Sequence, residues 1–494
     1  MLKKLIPLGG RAKSLLFTNQ STRQTVAKNT IWLTVSQFGG RLIRAVIVIY
    51  AARILGAAEW GVFSYAVGLA AILTIFTDLG IGAILTREAS RIGEGERKSR
   101  LIGTAFFIKL ALLAAGIIII IAGAPYLTSI SEVRHLLPWV ALILAFDTLR
   151  EFGFSLIRAL EKMEWEAGLF LFTNAMIVIA GIVALKISGT VAAFTIAYAI
   201  GTGAGMVATF YFLRTRLSKI FSHFDAKLVR PIITSAWPFA VSAVLGGLMI
   251  NTDILIIGFF GTAEAVGFYS AAQRPILLAY LLPAIFAAST FPAFSRFANG
   301  EPKKMRALFE RTVGVAFLIG FPLVLGGIIL APDLINLVFG EAYRAAIAPF
   351  QVLLLTLLVN FPSVILTNAL FAHNRQKNLL LFAAIGGLGN VLFDILLIPQ
   401  FGILGAAWAT LFAQILGNLY LWRAMQNIER LPLPGLTKIA PASLLMMMAV
   451  SFLSFAGFPL AFTIILAAVL YWGILKFLDE PLLRELTFTL KPRA

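Results

Sequence analysis

Apolar runs of 19–29 residues, separated by short polar connections, follow one another along the whole chain and predict 14 membrane-spanning helices. They cover about residues 30–52, 61–85, 101–122, 136–157, 168–186, 190–213, 232–260, 265–293, 308–331, 346–371, 378–398, 403–424, 438–456 and 459–477. Helix-breaking residues mark many of the connections, among them Gly56, Pro125, Pro231, Gly261, Pro302 and the run Pro399-Gln400-Phe401-Gly402. Pro238, Pro275, Pro283, Pro322 and Pro362 fall inside spans, where neighbouring helices must satisfy the freed backbone groups.

The pattern repeats. Gly56, Ala58 and Glu59 recur as Gly261, Ala263 and Glu264, an offset of 205. One inserted residue later, Gly61 and Ser64 recur as Gly267 and Ser270, and Ser90-Arg91 returns to 205 at Ser295-Arg296. The ends of the two units also correspond, with Ala192-Ala193-Phe194 against Ala406-Ala407-Trp408. Six spans per unit is an even number, so both units enter from the same side and form parallel repeats. The expected fold is an all-α polytopic membrane protein: two parallel six-helix repeats around a central cavity, plus two C-terminal helices. The expected divisions are a cytoplasmic N-terminal segment 1–28, an N-terminal half 29–217, a linker 218–230, a C-terminal half 231–428, and helices 13–14 with a cytoplasmic tail at 429–494.

Charge sets the orientation. With the N-terminus inside, and cations within four residues of a span end counted with the adjoining segment, 32 of the 41 Lys and Arg fall in inside segments, 4 fall in outside loops, and 5 lie well within spans. The positive-inside rule therefore places both termini in the cytoplasm, in a multi-pass protein of the cell membrane. Charged residues are only 13% of the chain and no segment is long enough for a soluble catalytic domain, so an enzyme is not expected. The net charge of +18 follows from insertion and from anionic lipid at the cytoplasmic surface, not from nucleic-acid binding. Cysteine is absent, which excludes thiolate chemistry. There is no phosphate loop, and the three histidines are too scattered for a metal triad. The first 28 residues, broken by Lys3, Lys4, Arg11, Lys13 and Arg23, predict a short amphipathic surface helix rather than a signal peptide.

The five cations inside spans are the first candidates for function, because a charge in a span costs about 2.5–3.5 kcal/mol on insertion scales and must face a cavity or a partner. Arg41 and Arg44 share a helix face, with Arg41 about a dozen residues into its span. Arg274 stands between Gln273 and Pro275. These three predict contacts for an anionic substrate, against a structural pairing of Arg41 with Asp78 or Asp147. Arg150 is a further substrate candidate, set against mutual satisfaction with Asp147 and Glu151. Lys109, nearer the cytoplasmic end, is expected to snorkel.

A second group is acidic. Asn390 and Asp394 are an i, i+4 pair on one face of span 11, Asp253 lies in span 7, and Thr410 lies in span 12. Two carboxylates, an amide and a hydroxyl make an oxygen cage for a small hard cation. The alternative is interhelical hydrogen bonding within the C-terminal half. No catalytic residue and no other metal site is expected.

Asn29-Thr30 followed by Arg41, Ala52-Arg53-Ile54-Leu55-Gly56-Ala57 at the outer end of span 1, and their echo in span 8 resemble the multidrug/oligosaccharidyl-lipid/polysaccharide exporter superfamily. Within it, the chain looks like an oligosaccharide-lipid flippase of the polysaccharide-export branch. The resemblance covers essentially the whole chain and rests on the order and spacing of its features. It implies that Asp253, Asn390, Asp394 and Thr410, with the Ala406 carbonyl, match a sodium site known in some lipid II flippases. It also shows a departure: those flippases have an Arg-Asp pair where this chain has Ile47-Val48, which argues against lipid II as substrate. Sodium, a proton or the membrane potential alone remain open as the coupling.

The expected function is translocation of a polyprenyl-(pyro)phosphate-linked oligosaccharide for cell-surface polysaccharide biosynthesis. The expected partners are that lipid-linked oligosaccharide, membrane lipids, and glycan polymerase or glycosyltransferases of the same pathway. One alternative is a cation-coupled drug or metabolite antiporter of the same fold. Another is a membrane glycan polymerase or glycosyltransferase, although no connection here holds a convincing acid/base pair.

Overall fold

The structure is a computed structural model describing residues 17–19, 22–93, 95–123, 126, 128–216, 223–298, 300–431 and 436–483. Most of the expected N-terminal surface helix, part of the 218–230 linker, and the tail beyond 483 lie outside the described residues. Among the described residues all regular structure is helical.

In chain order the helices are α1 (Thr22–Asp78), α2 (Ile81–Arg91), α3 (Glu96–Ile118), α4 (Leu137–Ala159), α5 (Met163–Ile187), α6 (Val191–Phe212) and α7 (Ala226–Phe260). They continue as α8 (Ala263–Ala279), α9 (Leu281–Phe297), α10 (Pro302–Phe339), α11 (Ile347–Ala372), α12 (Gln376–Gln426), α13 (Ile439–Phe455) and α14 (Leu460–Phe477). Nine helices among the described residues are long and apolar enough to cross a membrane, or ten when the bent pair Ala263–Ala284 and Ser289–Phe297 counts as one span. The protein is therefore a multi-pass helical membrane protein.

That count is lower than 14 for physical reasons. α1 and α12 run for 57 and 51 residues and break once each, at Gly56 (φ 72°) and Gly402 (φ 57°). One span was expected on each side of each break, and only glycine adopts such a positive-φ backbone without a side-chain clash. α4 carries Asp147, Arg150, Glu151 and Arg158, which lower its hydropathy. α13 has 17 residues, fewer than the roughly 20 that cross a bilayer without thinning it.

Two further breaks fall inside expected spans. Between α1 and α2, Leu79 and Gly80 take φ of 41° and 75°. Within α9 the chain bends by 48°, between Ala284 and Ser289. At an offset of 205, Leu79 falls on Ala284, so both second spans break at matching places. Interrupted helices at corresponding positions are the sequence feature that marks binding regions in transporters.

Cα packing divides the chain into two compact units, Met1–Leu55 with Tyr65–Val244, and Gly56–Ser64 with Leu245–Ala494. In the first, Ile81, Leu85, Phe106, Phe152 and Phe154 form the core under α2, α3 and α4. In the second, Leu318 and Leu330 of α10 pack with Ile439, Met446 and Tyr471 of the last two helices. Within this second unit Ser64 and Ser270, which match in the sequence repeat, meet at 2.9 Å between hydroxyls.

Candidate functional site

In the first unit the buried charges are paired. Lys109 is 1% exposed and its Nζ lies 2.5 Å from Asp78 Oδ1. This corrects the expectation that Lys109 snorkels: Asp78, held at the helix break and also accepting from the Gly82 amide at 3.3 Å, gives the ammonium a partner within the protein. Arg158 and Glu166 form a forked pair, with Nε donating to the two carboxylate oxygens at 3.0 and 2.9 Å. Thr77 and Thr148 hydroxyls meet at 2.9 Å beside these groups.

The arginines expected to meet substrate differ in how free they are. Arg41 is exposed. Arg44 Nε donates to Asn174 Oδ1 at 2.8 Å, and its guanidinium stands 5.9 Å from the Tyr198 ring centre. Arg150 is 6% exposed, 2.8 Å from Asp147 Oδ1 and 5.6 Å from the Phe154 ring centre. Its Nε and Nη1 have no hydrogen-bond partner among the described residues. Neither Asp78 nor Asp147 is taken up by Arg41 in any ion pair among the described residues, since Lys109 and Arg150 occupy them. In the second unit, Arg274 is half-buried on α8.

The acidic group is brought together. Asp253 on α7 and Asp394 on the first part of α12 are fully buried, with Asn390 at 2% and Thr410 at 7% exposure. Asn390 Nδ2 donates to Asp253 Oδ1 and, at 2.9 Å, to Asp394 Oδ2. Thr410, on the part of α12 beyond Gly402, donates to Asp253 Oδ2 at 3.0 Å and lies 3.1 Å from the Ala406 carbonyl. The fold at Gly402 is what returns Thr410 to the face carrying Asn390 and Asp394. Close approach of α7 and α12 sets the rest: a Cβ on Gly387 would stand 2.5 Å from the Leu245 carbonyl oxygen.

Two members were not foreseen. Tyr269 on α8 donates its hydroxyl to Asp253 Oδ2 and lies 3.3 Å from Thr410 Oγ1. Gln273, one turn further along α8, donates from Nε2 to Asp253 Oδ2 at 3.5 Å and to the Ile250 carbonyl at 3.2 Å. A signal for both lay in the repeat: at an offset of 206, Tyr269 falls on Phe63 and Gln273 on Val67, so the polar groups occur only in the half that carries the carboxylates.

The donor set is neutral apart from the two acids. Among the described residues neither Asp253 nor Asp394 forms an ion pair with Lys, Arg or His, and Asp394 Oδ1 is buried without a hydrogen-bond partner. Two buried carboxylates without a protein cation carry a large desolvation cost unless a cation or proton joins them. The residues present therefore fit a small hard cation with oxygen ligands. No group of three or more His, Cys, Asp or Glu side chains suited to a transition metal occurs among the described residues.

The sequence profile described as "Polysaccharide biosynthesis protein" matches residues 26–298, more than half of the chain. The chain is 23% identical over 386 residues to the probable low-salt glycan biosynthesis flippase Agl15 of Haloferax volcanii, covering 78% of this chain and 80% of that one. It is also 23% identical over 411 residues to a Shigella flexneri protein named as an O-antigen transporter, covering 80% of this chain and 97% of its relative. Among solved structures, the lipid II flippase MurJ in its inward closed conformation superposes with a TM-score of 0.74 at 19% identity, over 92% of this chain and 99% of MurJ. That likeness identifies a shared fold.

Proposed function

The chain belongs to the polysaccharide biosynthesis protein family, and we propose that it is a flippase that carries a polyprenyl-(pyro)phosphate-linked oligosaccharide across the cytoplasmic membrane. The observation that carries this reading is the combination of intramembrane arginines in a chain whose relatives are named for glycan translocation. An oligosaccharide headgroup cannot cross lipid alone, because each unsatisfied polar group costs roughly 2–7 kcal/mol to bury. Arg41 and Arg274 are the proposed contacts for the (pyro)phosphate, since guanidinium stays charged and binds oxyanions through two parallel hydrogen bonds. Arg44 and Arg150, already engaged by Asn174 and Asp147, are further proposed contacts for an anionic substrate through their remaining N–H groups.

The proposal includes 14 spans in two six-span repeats with both termini cytoplasmic, supported by the Lys/Arg distribution and by the matching helix breaks. It also includes cation coupling in the second unit. Asp253, Asn390, Asp394 and Thr410, with the Ala406 carbonyl, would hold a sodium-sized ion, which supplies the positive charge that the two carboxylates lack. Tyr269 and Gln273 orient Asp253 through hydrogen bonds. A membrane potential negative inside favours outward movement of the anionic headgroup by about 2.3 kcal/mol per charge per 100 mV. Binding of the cation then biases the return step. Glycosyltransferases that build the substrate and a polymerase that consumes it are the proposed pathway partners.

The test is flipping of a fluorescent polyprenyl-diphosphate oligosaccharide in proteoliposomes. Arg41→Ala and Arg274→Ala should each lower the rate at least about tenfold, the factor for roughly 1.4 kcal/mol, with membrane abundance unchanged. Wild-type rates in both variants would sink the assignment of these arginines, and no flipping by the wild-type protein would sink the reading itself.

A further inference from the structure

A second polar cluster lies next to the carboxylate site, on the side toward the Lys/Arg-rich helix ends. Tyr280, at the junction of α8 and α9, places its hydroxyl 2.6 Å from Thr356 Oγ1 on α11 and accepts from Gln414 Nε2 on α12 at 2.9 Å. Three oxygens on α11 and α12 are buried with no hydrogen-bond partner among the described residues: Asn360 Oδ1, Ser363 Oγ and Gln414 Oε1. Pro362 has no N–H, so the Leu358 carbonyl on the same stretch of α11 loses its helical donor as well. So many buried acceptors without donors call for water or an ion.

The arrangement has a direction. Thr356, Asn360 and Ser363 follow at i, i+4 and i+7 and line one face of α11 over about 10 Å. Gln414 follows Thr410 by one turn, about 6 Å along α12. Both steps lead away from Asp253 toward the ends where His373, just beyond α11, lies 4.0 Å from Glu429, just beyond α12. Those ends carry Arg375, Lys377, Arg423 and Arg430, the cytoplasmic side by the charge distribution. Every ligand on the way is a neutral oxygen. Hydroxyls and two amide carbonyls hold a hydrated monovalent cation weakly enough to release it, whereas carboxylates hold it longer.

We propose that Tyr280, Thr356, Asn360, Ser363 and Gln414 form a hydrated transit position through which a sodium-sized monovalent cation passes between the carboxylate site and the cytoplasmic face. This rests on the reading of Asp253 and Asp394 as a cation site. It adds a route and a second, weaker binding position.

The chain has no cysteine, so a single introduced thiol reports alone. Ser363→Cys, at a site 5% exposed, is treated in inverted membrane vesicles with a cationic and an anionic methanethiosulfonate reagent of similar size. Ser443→Cys is the control: Ser443 is also buried, at 0% exposure on α13, and its hydroxyl is satisfied by the Ile439 carbonyl at 2.9 Å. The cationic reagent should modify Ser363→Cys at least about tenfold faster than the control and about tenfold faster than the anionic reagent does, as a negative cleft attracts cations. Adding Asp394→Asn should bring the cation-to-anion ratio toward one. A Ser363→Cys thiol as inert as the control, or one equally reactive to both reagents, overturns the proposal. Asn360→Cys, on the same face, gives the same readout if Ser363→Cys does not reach the membrane. The underlying cation site fails by a different sign: sodium then leaves the thermal stability of the wild-type protein unchanged, which removes the ion's destination and this route with it.

Discussion

The two units handle buried charge in opposite ways. In the first, Lys109 faces Asp78, Arg150 faces Asp147 and Arg158 faces Glu166, so each of the buried charges Lys109, Arg150 and Glu166 has a partner of opposite sign. In the second, Asp253 and Asp394 stand together with only neutral donors around them. A paired charge is a closed structural element: it costs desolvation, but it asks for nothing further. Two adjacent carboxylates without a counter-ion leave a negative site that an external cation or a proton must complete. The contrast separates charges that hold the helices in place from charges available for coupling.

The sharpest break of that comparison is Asp253→Asn. Removing the acid that receives most of the cluster's hydrogen bonds should lower sodium affinity about a hundredfold or more, given that losing one partner of a buried charge pair costs about 3–5 kcal/mol. Equilibrium binding of radioactive sodium to purified protein measures it, and an affinity within a few fold of wild type would place the ion elsewhere. Lys109→Met should be next in size and should act on stability instead. Leaving Asp78 without its ammonium is expected to cost about 3 kcal/mol, toward the low end for a buried pair because Asp78 is about one-third exposed. The double variant Lys109→Met, Asp78→Asn should recover much of the melting temperature, with sodium affinity unaltered throughout. A Lys109→Met protein that melts like wild type would show that the pair is not structural.

Tyr269→Phe should have the smallest effect. It removes one hydroxyl from Asp253 and leaves the ring in place, so sodium affinity should fall about tenfold, in line with a hydrogen bond to a charged group worth roughly 1.5–3 kcal/mol. An unchanged affinity would reduce Tyr269 to packing.

Much of this was legible in the chain. Gly56 and Gly402 announced their turns, because positive φ selects glycine and both sit between long apolar runs. The i, i+4 spacing of Asn390 and Asp394 fixed them on one helix face before any packing was known. What remained hidden was the rotation of one helix against another. Nothing in the sequence set the Lys109 face of α3 toward Asp78, and hydropathy alone favoured an exposed ammonium. Tyr269 showed only as a polar change in the repeat, standing where the first half has Phe63; no helical period marked its hydroxyl as a partner of Asp253. The oxygens of α11 were unremarkable in sequence for the same reason; only their burial without donors distinguishes them.

The most direct measurement compares the thermal stability of purified wild-type protein and Asp394→Asn in sodium chloride and in choline chloride, at fixed pH and ionic strength. A counter-ion site predicts that sodium raises the melting temperature of the wild-type protein saturably, that choline does not, and that Asp394→Asn loses the response. Equal melting in the two salts, or a sodium response that survives in Asp394→Asn, would contradict it.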